Sequence, residues 1–335
     1  MAILIASPEP TEPAPTDAPL LDVRGLTTEF NTHAGPLRAV NAVSFTVPRG
    51  RILAIIGESG SGKSALLRTI LGIQPASARI EGEVLLNGVD LLTLSPRQRE
   101  DLRGSVVSMV FQDPMTALDP IFTAEQQLVE TIRRHNPVGR AEANQRALEL
   151  LELVQIPSPE RRLKAYPFEL SGGMRQRLVI AMALASAPSL LLADEPTTAL
   201  DVTVQGRVLR LLASLQRQLG MSVIFVTHDL AVAARIADDV AVMYAGRIVE
   251  AGSIRDIVHN PAHPYTRGLL EANVQPGQTE PPAVIPGSPP NMARLPPGCS
   301  FAPRCAHSLE QCWEALPQLT PVTTTHSARC VLVEP

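Results

Sequence analysis

Three short stretches of the chain carry residue types at spacings that could do chemistry. The string GESGSGKS at residues 57–64 fits GxxxxGK[ST], directly after the apolar run 52–56 and before the helix-like run ALLRTIL at 65–71. Gly57, Gly60 and Gly62, interleaved with Ser59 and Ser61, let backbone amides converge on phosphate oxygens at a helix N-terminus. There Lys63 adds a point charge and Ser64 offers a hydroxyl to Mg2+. A chance Gly/Ser turn would not be framed by both a strand and a helix. Further along, Asp194 ends the apolar run 190–193, so its carboxylate falls at the end of a core strand, where it can help to hold Mg2+, and Glu195 follows it. A surface acidic pair capping a helix is the plainer alternative. Between these two stretches, Ser171, Gly172 and Gly173 in LSGGM at 170–174 offer a hydroxyl and close backbone approach ahead of a predicted helix, which suits a terminal phosphate.

Elements are needed to position these groups. Short β-type runs between residues 21 and 48, such as AVSFTV at 42–47, alternate with turn residues and continue at 83–86, which predicts a small antiparallel sheet. The runs 52–56, 106–111, 190–193 and 223–226 are apolar without alternation, as expected of parallel strands buried on both faces. Between 113 and 177 the pattern turns helical, for example over 141–154 with Ala147, Leu148, Leu151 and Val154 at three- and four-residue spacing. The LSGG string therefore rides on a helical insertion. From about Gln275, prolines at 281, 282, 286, 289, 290, 296 and 297 predict a stiff linker holding neither helix nor sheet, and all four cysteines lie beyond it. The fold class expected is α/β, a P-loop NTPase core with an antiparallel β subdomain, a helical subdomain and a Cys/Pro-rich C-terminal extension.

Composition narrows the function. With 335 residues and 45% apolar content, the chain can bury a sizeable core. A net charge of -4 leaves no basic excess to neutralise a nucleic-acid backbone, so no nucleic-acid partner is expected. The Pro-rich residues 1–20 read as a flexible tail without a convincing signal peptide. The longest nearly apolar stretch, 178–193, is broken by Ser186, Pro188 and Ser189, too soon to span a bilayer. No solenoid repeat is evident, and the single phosphate loop argues against a duplicated nucleotide domain.

The phosphate loop, LSGG string and acidic pair, in this order, resemble the nucleotide-binding subunits of ATP-binding-cassette (ABC) transporters. The resemblance implies a working pair, in which the LSGG element of one subunit closes over the ATP held by the phosphate loop of another. It implies that Glu195 polarises the attacking water and that Gln112, the Q-loop residue, touches Mg2+ or water and links hydrolysis to the helical region. His228, at the end of the last core strand, becomes the switch histidine on the γ-phosphate, where a neutral imidazole can donate one hydrogen bond. Ala199, Leu200 and Asp201 resemble the D-loop that crosses the dimer interface. Phe30 is the candidate for stacking on adenine, with a core phenylalanine as the alternative.

Several strings point to one branch: FQDPMT at 111–116, LDP at 118–120, LSGGMRQR at 170–177, HPYTRGLL at 263–270 and GCSFAPRC at 298–305. Over about residues 21–335 they resemble the ATP-binding subunits of dipeptide and oligopeptide importers, departing only mildly at Ala117 and Asp119. The implied organisation is a nucleotide-binding domain at 21–274, with its helical subdomain at about 113–177, and a peptide-importer extension at 275–335. The implied partners are a second, non-identical ABC ATPase subunit, two transmembrane permease subunits and an extracytoplasmic substrate-binding protein. The implied location is the cytoplasmic face of the cell membrane, with the surface near 112–121 receiving the permease. Nickel, glutathione or another small solute is the alternative cargo. A soluble ABC ATPase acting on nucleic acid or ribosomes is the alternative class, though such proteins often carry two cassettes or a long coiled-coil insertion.

Cys299, Cys305, Cys312 and Cys330 are separated by five, six and seventeen residues in a tail with little apolar material of its own. Cytosolic thiols seldom form stable disulfides, and the absence of CxxC pairs weakens a zinc ribbon. Count and spacing fit a 4Fe-4S cluster, and some peptide-importer members carry one there; zinc, disulfides and unliganded thiols stay open. If the tail is a structural clip, losing Cys305 should cost stability or assembly and leave ATP affinity nearly unchanged; redox sensing is the other role.

Overall fold

The computed structural model describes residues 18–33, 35–198, 200–272 and 284–333, so residues 1–17 of the expected tail and 273–283 of the expected linker lie outside the described residues. The chain divides into two compact units. One comprises residues 18–22, 46–50 and 85–223, the other 23–45, 51–84 and 224–333.

In the first unit, strands Val107–Val110 and Leu190–Asp194 pair in parallel, with Val107 opposite Leu190 and Val110 opposite Ala193. Leu190, Leu191, Leu192 and Ala193 are fully buried, which is why this strand shows no alternation. Helix Gly172–Leu184 packs on Val107–Val110, and its Leu178, Ile180 and Ala181 are fully buried. The expected helical region is a set of helices at Pro114–Ala117, Ala124–His135, Arg140–Leu153 and Pro159–Leu163. Thr123 and Gln126 open the second of these with a reciprocal capping box. The helix expected at 141–154 buries Ala143, Ala147 and Leu151, while Leu148 is only half-buried.

In the second unit, strands Leu21–Thr32 and Gly35–Val47 lie side by side and are joined by two residues, a link only an antiparallel pair allows. Strand Arg79–Leu86 flanks Leu21–Thr32 on its other side. A second sheet places Thr320–Pro321, Ser327–Ala328, Arg247–Ser253, Asp239–Tyr244, Ile52–Ile56 and Ser222–Thr227 in that order; the division between units falls inside the last of these. Ile52–Ile56 runs parallel to Asp239–Tyr244, with Ile56 opposite Val242. The described linker residues 284–301 form neither helix nor strand, as the prolines require. The tail beyond them extends this sheet, with Ala328 opposite Glu250 and Thr320 opposite Ala328. Among the described residues, no helix is long and apolar enough to cross a membrane.

Candidate functional site

The loop 57–64 leaves a fully buried strand and turns into helix Lys63–Leu71. A Cβ at Gly57 would run into the carbonyl oxygen of Met243, and one at Gly62 into that of Ala39. Gly62 also holds φ +102, so glycine is required there for backbone and space together. Gly62 is the N-cap of this helix and makes no side-chain cap bond. Lys63 is buried, and its Nζ donates to the carbonyls of Gly57 at 2.7 Å and Glu58 at 2.9 Å, so the lysine is folded onto its own loop. His228 follows strand Ser222–Thr227 and is exposed; Asp229 beside it caps the short helix Leu230–Ala233.

In the first unit the parallel strand pair brings two expected residues together. Gln112 follows Val107–Val110 and Glu195 follows Leu190–Asp194, and Gln112 Nε2 donates to Glu195 Oε2 at 3.4 Å. Thr198 Oγ1 donates to the same oxygen at 2.7 Å. Glu195 holds φ +44, a left-handed conformation that costs a non-glycine residue about 1 kcal/mol and is typical of strained functional turns. Asp194 is buried at the strand end beside it. Thr198 was not singled out from sequence; its spacing of three from Glu195 across a tight turn was the available signal.

Ser171 is the N-cap of helix Gly172–Leu184, its Oγ accepting from Met174 N at 3.4 Å, and Ser171 and Gly172 are exposed. Gly173 has a packing reason of its own, since a Cβ there would come within 2.7 Å of Val204 Cγ1 on helix Val202–Leu219. Asp201 caps that helix, accepting from Val204 N at 2.9 Å; of the expected D-loop, Ala199 lies outside the described residues. Phe30 is half-exposed on strand Leu21–Thr32 and does not belong to the buried core.

The cysteines form no disulfide; Cys312 is buried and the other three are half-buried. Burial pushes the thiols of Cys299, Cys305 and Cys330 up, and each also feels other members of the set: Cys299 feels Cys312 and Cys330, and Cys330 feels Cys305 and Cys312. Leu309 N donates to Cys312 Sγ at 3.5 Å, and backbone hydrogen bonding at Phe301, His307 and Leu332 partly offsets the upward push on Cys299, Cys305 and Cys330. Among the described residues, no group of three or more His, Cys, Asp or Glu side chains could hold a metal ion as they stand. The HPYT and SFAPRC strings meet in a buried aromatic cluster, with Tyr244 and Tyr265 centroids 4.6 Å apart and Phe301 5.3 and 5.4 Å from them. His263 packs 5.9 Å from Phe301, and burial lowers its pKa to about 3.

A strand, a glycine-constrained phosphate loop and a helix that begins at Lys63 define a nucleotide-binding protein of the P-loop class. Residues 40–198 match the family model "ABC transporter", and residues 249–312 match "Oligopeptide/dipeptide transporter, C-terminal region". The chain is 45% identical over 320 residues to the oligopeptide transport ATP-binding protein OppD of Bacillus subtilis, covering 94% of this chain and 89% of that protein. It is 45% identical over 318 residues to the protein of the same name from Escherichia coli, with coverage of 95% and 94%. Among solved structures it resembles the dimeric ATP-binding cassette MJ0796 bound to ADP and Pi. That match has a TM-score of 0.63 and 28% identity, covering 70% of this chain and 99% of that one. The chain therefore belongs to the ABC transporter ATPases, in the family of oligopeptide and dipeptide transport ATP-binding subunits.

Proposed function

We propose that this protein hydrolyses ATP to power import of di- or oligopeptides through partner membrane subunits. The observation that carries the reading is the double match: an ABC nucleotide-binding region at 40–198 followed by the peptide-transporter C-terminal region at 249–312. In this reading residues 21–274 are the nucleotide-binding domain and 275–335 the extension specific to this branch.

The loop amides from Gly57 to Gly62 and the Lys63 ammonium receive the phosphates, and Phe30 stacks on adenine from its half-exposed position. Ser64, Gln112 and Asp194 supply oxygen donors, a set that suits Mg2+, and the buried Asp194 carboxylate at a strand end fits that use. Mg2+ held by them would neutralise charge on the transferred phosphoryl group. Glu195 takes the proton of the attacking water, oriented by Thr198 and Gln112. His228 reads the γ-phosphate. The exposed Ser171, Gly172 and Asp201, with the half-buried Gly173, serve the nucleotide bound by a second, non-identical ATPase subunit.

Phe111, Met115, Ile121 and Phe122 are exposed apolar side chains around the Q-loop, the character expected of a surface that receives a membrane subunit. Two permease subunits and an extracytoplasmic substrate-binding protein complete the importer, which places this chain peripherally on the cytoplasmic face of the membrane. Cys299, Cys305, Cys312 and Cys330 are the residues that would hold a 4Fe-4S cluster. Their number and their spacings of five, six and seventeen residues within one C-terminal segment support this.

The test is to co-express the chain with its membrane subunits and second ATPase, reconstitute the complex in vesicles, and follow ATP hydrolysis with the binding protein present. Peptide-stimulated hydrolysis is expected. Stimulation by nickel or glutathione instead would sink the peptide reading, and failure to associate with membrane subunits would sink the transport role.

A further inference from the structure

The phosphate loop carries an acidic residue where a polyanion must bind, and the fold answers it from the far end of the chain. Glu58 is the second residue of the loop. Its carboxylate forms a two-pronged pair with the buried Arg304, Nη1 to Oε2 at 2.6 Å and Nη2 to Oε1 at 3.0 Å. The remaining guanidinium donors are also used: Nε to Pro286 O at 2.8 Å, Nη1 to Tyr244 Oη at 3.4 Å and Nη2 to Ile285 O at 3.5 Å. All five N–H groups of the arginine thus have acceptors, and its cation lies 5.9 Å from the ring centroids of both Tyr244 and Phe301. The backbone of Glu58 is gripped as well. Its N–H donates to Tyr265 Oη at 2.8 Å, and its carbonyl accepts from Lys63 Nζ at 2.9 Å.

We infer that Arg304 is a positioning residue for the nucleotide site: through Glu58 it neutralises the one negative side chain of loop 57–64 and fixes the backbone on which Lys63 and the phosphate amides depend. The inference rests on the reading of that loop as the ATP site. An uncompensated carboxylate in the loop would repel the triphosphate, whereas a bidentate pair with arginine cancels the charge and sets its direction. Tyr265, of the HPYTRGLL string, holds the amide of the same residue. The two strings that mark the C-terminal region therefore converge on Glu58.

The experiment is titration of Mg-ATP into the full chain by calorimetry, in a Glu195→Gln background so that nucleotide is not consumed, with the nucleotide-free melting temperature as a folding control. Arg304→Met should weaken ATP about tenfold or more, since one partner of a close charge pair is lost. Adding Glu58→Gln to Arg304→Met should restore affinity to within about threefold of the parent, because the offending charge is gone. A packing role alone predicts no such rescue, so a loss that Glu58→Gln does not relieve overturns the inference, as does unchanged affinity in Arg304→Met. Should Arg304→Met not fold, Arg304→Gln keeps a planar polar head for the Pro286 and Ile285 carbonyls and is judged by the same two outcomes. If the parent itself binds no ATP, the nucleotide reading fails and takes this inference with it; normal parent binding with indifferent Arg304 variants overturns this inference alone.

Discussion

At the scale of single residues, Glu195 shows how this chain turns a strand end into a reactive position. The apolar strand Leu190–Asp194 stops at a buried carboxylate, and the next residue is forced to φ +44, where Thr198 and Gln112 hold its side chain through one oxygen. Glutamine at this position is nearly isosteric but cannot accept a proton. Glu195→Gln should therefore bind ATP within about twofold of the parent and hydrolyse it at least ~100-fold more slowly in a single turnover. Near-normal single-turnover hydrolysis would remove Glu195 from the role of base. Residues of this kind were legible in the sequence wherever local sterics dictate type, as at Gly57 and Gly62, whose missing Cβ atoms leave room for the carbonyls of Met243 and Ala39. Arg304 was not legible as part of the site. Its partner Glu58 lies 246 positions away, and no local periodicity links them.

At the scale of elements, the short helix Pro264–Glu271 shows a cap chosen for two jobs. His263 Nδ1 accepts from Tyr265 N at 3.0 Å, so the ring proton is on Nε2, and Pro264 occupies the first helical position. The ring is buried against Phe301, and burial lowers its pKa to about 3 from the ordinary 6.5. Above pH 6.5 the ring is neutral in both folded and unfolded chains and adds no pH dependence. As the pH falls from about 6.5 toward 3, the unfolded chain takes up a proton that the folded one refuses, so stability declines by at most about 1.4 kcal/mol per pH unit from this group. His263→Asn keeps a capping oxygen and cannot titrate; its melting temperature should fall less steeply than the parent's between pH 6.5 and 5. Equal slopes would mean that another group carries the acid sensitivity. The core strands were legible because burial on both faces writes a continuous apolar run. The strands Thr320–Pro321 and Ser327–Ala328 were not, because two residues have no period and exist as strands only by pairing with the edge at Arg247–Ser253.

At the scale of the whole molecule, the C-terminal region is tied to its unit by contacts of several kinds, which bears on what the cysteines do. Phe301 and Ala302 are buried, and His326 Nε2 lies 2.7 Å from the buried Glu250 carboxylate, which also accepts from Ala262 N and His263 N. With Arg304 on Glu58 added, this segment has enough apolar and polar anchors to hold its course without a metal as its sole staple. A cluster here is thus a matter of thiol chemistry rather than of necessity for folding, and it can be measured directly. Protein purified without oxygen should show a broad visible absorption band together with about four irons and four acid-labile sulfides per chain. The same preparation of Cys305→Ser should lose most of both while retaining much of its secondary structure, because the anchors at Phe301, Arg304 and His326 remain. Zinc alone, or no metal in the parent, would end the cluster assignment and leave one buried and three half-buried thiols; the nucleotide chemistry would be untouched by that result.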